Sequence, residues 1–153
     1  MKTIVSLLAL VSIAVFLPCC ENITNGKNQQ IMQKNNQKVF EIIFFESENG
    51  NQPAREFIKG LIKEDKKVVG ADIRVVQTSF PIGLPLVRKI KPGLWEIRSD
   101  IKDGISRVFF TFVNEEIILL HGLVKKTQKT PQKEIDVAMV RMKEFKRWQK
   151  QKN

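Results

Sequence analysis

The residues best equipped for chemistry are basic, and they crowd into one stretch of the chain. Arg98, Arg107, His121, Lys125, Lys126 and Lys129 fall between Gly93 and Glu134, where the sequence reads GLWEIR, ISRVFFTFV and EIILLHGLVKKTQKTPQKE. Arg88 and Lys89 stand just ahead of it. Guanidinium and ammonium groups that converge on one spot suit a phosphate. Arginine grips phosphate oxygens bidentately and stays charged, so it can stabilise the extra negative charge of a pentacoordinate phosphorane. Crowded ammonium groups disfavour one another's protonation, which fits one lysine to take a proton from a ribose 2′-hydroxyl. RNA carries its own nucleophile in that hydroxyl, so cleavage needs a base, a charge stabiliser and an acid, without a metal. His121 is the candidate acid, although a lone histidine in an apolar strand also serves as an ordinary core residue. The candidate catalytic set is therefore Arg98, Arg107, His121, Lys125 and Lys126, with Arg88, Lys89 and Lys129 as RNA-binding residues.

Three β-strands must deliver these groups. Asp103-Gly104 between β-rich runs is a hairpin signal, with the turn at Lys102-Asp103-Gly104, and Asn114-Glu115-Glu116 makes a second turn. Alternation in Ile105 to Val113 puts Arg107 on one face with Phe109 and Thr111, and Ser106, Val108, Phe110 and Phe112 on the other. In the last strand the same rule groups His121 with Ile117, Leu119, Leu123 and Lys125, while Lys126 alternates away. Arg98 falls opposite Trp95 and Ile97. An arginine in mid-strand among aromatics needs water, a partner or an anion, and Glu96 or Glu115 could pair with it across the sheet. Pairing accounts easily for one arginine. It is strained for two arginines, a histidine and three lysines at one end.

The remaining elements pack against that meander. Val39 to Phe45 is a first strand whose near-continuous hydrophobicity fits burial on both faces. Pro53 sits where a helix begins, and Ala54, Phe57, Ile58, Leu61 and Ile62 follow as one stripe, with Arg55, Lys59 and Lys63 opposite. A second helix is expected over 66–78, with Val68, Val69, Ile73 and Val76 inward. The segment 80–85 is a loop, and Val87 to Lys91 leads towards the meander. Thr130-Pro131 starts a last helix, in which Ile135, Ala138, Met139, Met142, Phe145 and Trp148 recur at helical spacing as core residues. The order β-α-α-β-β-β-α defines an α+β domain over 39–150, with an N-terminal helical hairpin and a C-terminal helix on an antiparallel sheet.

The formal charge is +10 over 153 residues. From His121 onward ten Lys/Arg stand against three Asp/Glu, so seven of those ten charges lie in the last fifth of the chain. That balance fits a polyanionic partner, or lysines that keep a small protein soluble. Cys19 and Cys20 are adjacent and the histidine is far away, which is no zinc spacing. Neither a metal nor a cofactor is expected. Residues 1–20 look like an export signal, with Lys2 at the charged start, an apolar run from Ile4 to Leu17, and Cys20 as the lipidated residue if a lipoprotein is made. Residues 21–38 are rich in Asn, Gln and Lys and read as a disordered linker. Met32 offers an alternative start just ahead of the domain. Membrane attachment is expected only if the leader is used, and a cytoplasmic protein otherwise.

GLWEIR, then Arg107-Val108-Phe109-Phe110, then ILLHGLVKKTQKTP with Glu134 resembles the HigB-like, phage Gp49-like branch of the RelE/ParE toxin superfamily. The resemblance spans about Val39 to Trp148, and the LLHG–KK–KTP run is its most specific part. It implies the toxin of a type II toxin–antitoxin pair: a ribosome-dependent mRNA endoribonuclease held in check by a helix-turn-helix antitoxin. Operator DNA would be reached only through that antitoxin. Arg98, Arg107, Lys125, Lys126 and Lys129 fall on the basic positions of the family pattern and His121 on its histidine. Some relatives carry a tyrosine in this region. The chain has no tyrosine, and Phe109, Phe110 and Phe112 cannot transfer a proton. Two other readings accompany the nuclease: a ParE-like gyrase-inhibiting binding protein, and an exported lipoprotein that keeps the fold without the activity.

Overall fold

Tight turns build most of the sheet. The computed structural model describes residues 38–125 and 131–152. Strand β2 (Val87–Lys91) turns through Pro92-Gly93 into β3 (Leu94–Ile101). Gly93 takes φ +76°, open to glycine at little steric cost. Lys102-Asp103 then leads into β4 (Gly104–Val113). Asn114 and Glu115, with φ 50° and 67°, form the two-residue link to β5 (Glu116–Lys125). Positive φ at both positions matches the twist of adjoining antiparallel strands.

The sheet has five strands in the order β1-β5-β4-β3-β2. Its first strand, β1 (Glu41–Phe44), is an edge strand and runs parallel to β5, so the sheet is mixed rather than wholly antiparallel. Both faces of β1 are nonetheless packed, which explains its unbroken apolar run. Ile42 and Phe44 join one hydrophobic cluster, while Ile43 and the following Phe45 join the other. The expected lead-in at Val87 to Lys91 is itself a strand, paired antiparallel with β3.

Helices α1 (Pro53–Gly60) and α2 (Lys63–Ser79) follow β1, and α3 (Gln132–Lys152) follows β5. The first two share a cluster with Val87, Ile97, Val108, Phe110, Ile117 and Leu119, and α3 shares one with Phe45, Leu94, Phe109, Ile118 and Leu120. The helices thus cover opposite faces, and the architecture is the α+β arrangement expected from the sequence, in agreement with a RelE-like fold. Two contacts fix the helical hairpin. A Cβ on Gly122 would lie 2.0 Å from the Phe57 ring, so α1 sits this close to β5 only because that position is glycine. Buried Asp65 accepts a hydrogen bond from the Lys102 amide at 3.1 Å and ties the start of α2 to the β3–β4 turn.

The alternation expected in β5 is broken. Phe109 pairs with His121 but Phe110 pairs with Leu119, so Leu120 is the extra residue of a bulge. Ile117 and Leu119 therefore face α1 and α2 rather than sharing a face with His121. Ile118 and Leu120 join the α3 side instead.

Candidate functional site

The sheet face beneath α3 changes character along its strands. One part is apolar, closed by Ala138 and Met142 over Phe109, Leu94 and Leu120. The other carries arginines. Pairing sets Arg88 beside Glu96, Arg98 beside Arg107, Arg107 beside Leu123, and Ile105 beside Lys125. By strand alternation Arg88, Glu96, Arg98, Arg107 and Lys125 therefore share this face.

Glu96 is the centre of the group. It is fully buried, as is Arg107, whose Nη1 donates to both carboxylate oxygens at 2.9 and 3.1 Å. The Arg88 Nε lies 3.0 Å from Glu96 Oε1, and the Arg98 Nε lies 4.0 Å from the same atom. Among the described residues Glu96 is the one carboxylate within ion-pair reach of all three guanidiniums. The pair at its heart is desolvated on both sides, so neither member could be left alone without a large penalty. Arg88 and Arg98 keep 41% and 23% of their side-chain surface open. A ligand can touch those two, whereas Arg107 reaches it only through Glu96.

His121 stands beside this group, stacked parallel to Phe109 with ring centroids 6.2 Å apart. Its Nε2 lies 2.6 Å from Glu134 Oε2 and its Nδ1 lies 2.8 Å from Arg141 Nη1. A guanidinium can only donate, so Nδ1 accepts and the ring proton belongs on Nε2, facing the carboxylate. Arg141 also donates to the carbonyl of Leu120, the extra residue of the bulge, at 3.2 Å. Burial lowers the pKa of Arg141, opposed by the nearby Glu144, Glu134 and Glu56 carboxylates. Both imidazole nitrogens are thus engaged by α3.

The structure brings Arg88, Arg98 and Arg107 together on Glu96 and places His121 and Lys125 on the same face of the sheet. It does not bring Lys89, which pairs with Trp95 and is exposed on the other side of the alternation. Lys126, Lys129 and Cys20 lie outside the described residues, as do the leader over 1–20 and the N-cap expected at Thr130. Glu96 appeared in the sequence only as a possible partner for one arginine, and Arg141 did not stand out. The one legible signal for Arg141 was its spacing of seven residues from Glu134, hence on one helix face. Among the described residues no group of three or more His, Cys, Asp or Glu side chains is placed to hold a metal ion. No helix among them is long and apolar enough to cross a membrane.

A RelE-like α+β fold with an arginine-rich patch beside its C-terminal helix is the class these observations define. The chain belongs to the family described as phage derived protein Gp49-like (DUF891), whose model matches residues 56–143. That span runs from α1 to α3 and includes every described residue of the arginine group and the His121 clamp. Membership points to a toxin related to toxin–antitoxin systems, to be paired with an antitoxin. No curated protein matches the chain.

Proposed function

We propose that the domain is the toxin of a type II toxin–antitoxin pair and cleaves mRNA on the ribosome without a metal. The observation that carries this reading is the sharing of one buried carboxylate by three guanidiniums, which leaves positive charge at an accessible edge. Arg88 and Arg98 have Glu96 as their one ion-pair partner among the described residues, and their surplus charge suits a phosphodiester. In the reaction, the ribose 2′-oxygen attacks the adjacent phosphorus as its proton passes to a base. The bond to the 5′-oxygen breaks, and that oxygen takes up a proton as it leaves, so a 2′,3′-cyclic phosphate and a 5′-hydroxyl result.

Arg98 and Arg88 hold the phosphate oxygens and stabilise the charge that builds on them. Arg107 and Glu96 hold those two arginines in place. Lys125, half-buried on the same face, and Lys126, next in sequence, carry the proton transfers. His121 positions α3 against the sheet, since both its nitrogens already have partners. The antitoxin is a helix-turn-helix protein that brings the pair to operator DNA, and the basic C-terminal fifth draws the toxin to the ribosome.

Expression of the full chain, and of a chain started at Met32, tests this. Growth arrest with cleavage of ribosome-bound transcripts is expected, abolished by Arg98→Ala. Intact transcripts in arrested cells would reject the nuclease. A concurrent block of DNA supercoiling would then identify a gyrase inhibitor instead.

A further inference from the structure

A cleft of about 400 Å³ opens beside Arg98, lined by Val68 and Asp72 of α2, Pro85 and Leu86 of the following loop, and Asp100 of β3. It exists because β2 is shorter than β3. Val87 pairs with Ile97, and beyond that point only the hydrogen bond from the Arg98 amide to the Leu86 carbonyl, 2.8 Å, continues the ladder. Since Arg98 points its amide outward, Asp100, two residues on, points its own N–H and C=O the same way. Among the described residues no strand runs alongside it there. Neither Asp72 nor Asp100 forms an ion pair or side-chain hydrogen bond with a described residue, and Asp100 is exposed. The Arg98 Nε is buried and has no hydrogen-bond partner among the described residues.

The lining of the cleft therefore combines three chemistries: an arginine, apolar residues, and two aspartates beside an unpaired strand edge. Its size falls in the range of small-ligand pockets, roughly 300–1,000 Å³. We propose that it is a guanine subsite that takes the base next to the phosphate held by Arg98. Guanine alone among the four RNA bases presents two adjacent donors, N1–H and N2–H, to one carboxylate. Adenine and cytosine offer a single exocyclic amino group, and the uracil N3–H is flanked by carbonyl oxygens that an aspartate repels. Val68, Pro85 and Leu86 supply the apolar surface for the base. The base's role in cleavage rests on the nuclease reading above; its binding does not.

The test is calorimetric titration of the intact chain with each of the four ribonucleoside monophosphates, alongside a map of cleavage sites on ribosome-bound mRNA. Guanosine monophosphate should bind about tenfold or more tightly than the other three, as expected for a bidentate pair. Of Asp100→Asn and Asp72→Asn, both outside the core, the one that removes the pairing carboxylate should bring the four nucleotides within about threefold of one another, with the circular dichroism spectrum unchanged. Cleavage beside guanine should become indiscriminate in the same variant. Equal affinities in the native protein, no binding of any nucleotide at millimolar concentration, or an undiminished preference in both variants would overturn the subsite. Guanine preference without cleavage of any mRNA would keep the subsite and remove the nuclease.

Discussion

Two polar clusters share the α3 side of the sheet, and they bury charge in opposite ways. Around His121 the accounts balance: Glu134 on one nitrogen, Arg141 on the other, and the bulge carbonyl of Leu120 on the same guanidinium. Around Glu96 they do not, because one carboxylate serves Arg107, Arg88 and Arg98. The first arrangement satisfies its members and joins a helix to a strand. The second satisfies its buried pair and leaves two part-exposed arginines attracted to any further anion. Stoichiometry, more than residue type, separates a structural clamp from a binding site here.

The largest effect should come from removing the carboxylate. Glu96→Ala leaves Arg107 buried without its carboxylate partner, and breaking a buried pair on one side costs on the order of 3–5 kcal/mol. Urea denaturation should show a loss of that size. A loss below about 1 kcal/mol would mean that the cluster does not depend on Glu96, and the contrast with His121 would lapse.

Arg98→Ala should separate function from fold. Its ion pair with Glu96 is long, at 4.0 Å, and its side chain is partly open. Stability should therefore change by less than about 1 kcal/mol. Single-turnover cleavage on the ribosome should fall about 10²–10³-fold, as when one preorganised charge stabiliser is lost. Equal damage to stability and rate would class Arg98 with the structural residues.

The opposite face of the sheet supplies a control. Gly122→Ala drives a methyl group into Phe57, and overpacking of this kind costs about 1–3 kcal/mol. Phe57→Leu in the same chain should recover part of the loss in thermal melts. No recovery would place the strain elsewhere in β5. Because Gly122 adjoins His121, the double variant also tests whether α1 packing influences the clamp on the other face.

Local signals made much of this fold legible. The Asp-Gly and Asn-Glu turns, Pro53 at the head of α1 and the helical spacing of α3 are all properties of a few adjacent residues. What escaped depends on contacts distant in sequence. The parallel pairing of β1 with β5 joins segments more than seventy residues apart. Strand β2 mixes Val87 and Ile90 with three basic residues, so neither alternation nor an apolar run announces it. The bulge at Leu120 cannot be read from EIILLHG, where every phase of the alternation is apolar, and it shifted Ile117 and Leu119 to the other face. The arginines were visible as candidates because charge in a strand is conspicuous. The burial of Glu96 was not, since GLWEIR reads equally well with that glutamate in solvent.

The smallest effect separates the two clusters most sharply. In His121→Gln the side-chain amide can still donate to Glu134 or accept from Arg141, but it cannot span both. Loss of one hydrogen bond in a half-buried position is worth about 1 kcal/mol. Thermal unfolding should show that modest change, and ribosome-dependent cleavage should stay within about threefold of the native rate. A general acid behaves otherwise: its removal lowers the rate by about 10²–10⁴-fold. A loss of that size with stability nearly intact would move His121 into the reacting group. The hydrogen bonds from Glu134 and Arg141 would then tune a proton donor rather than fasten a helix.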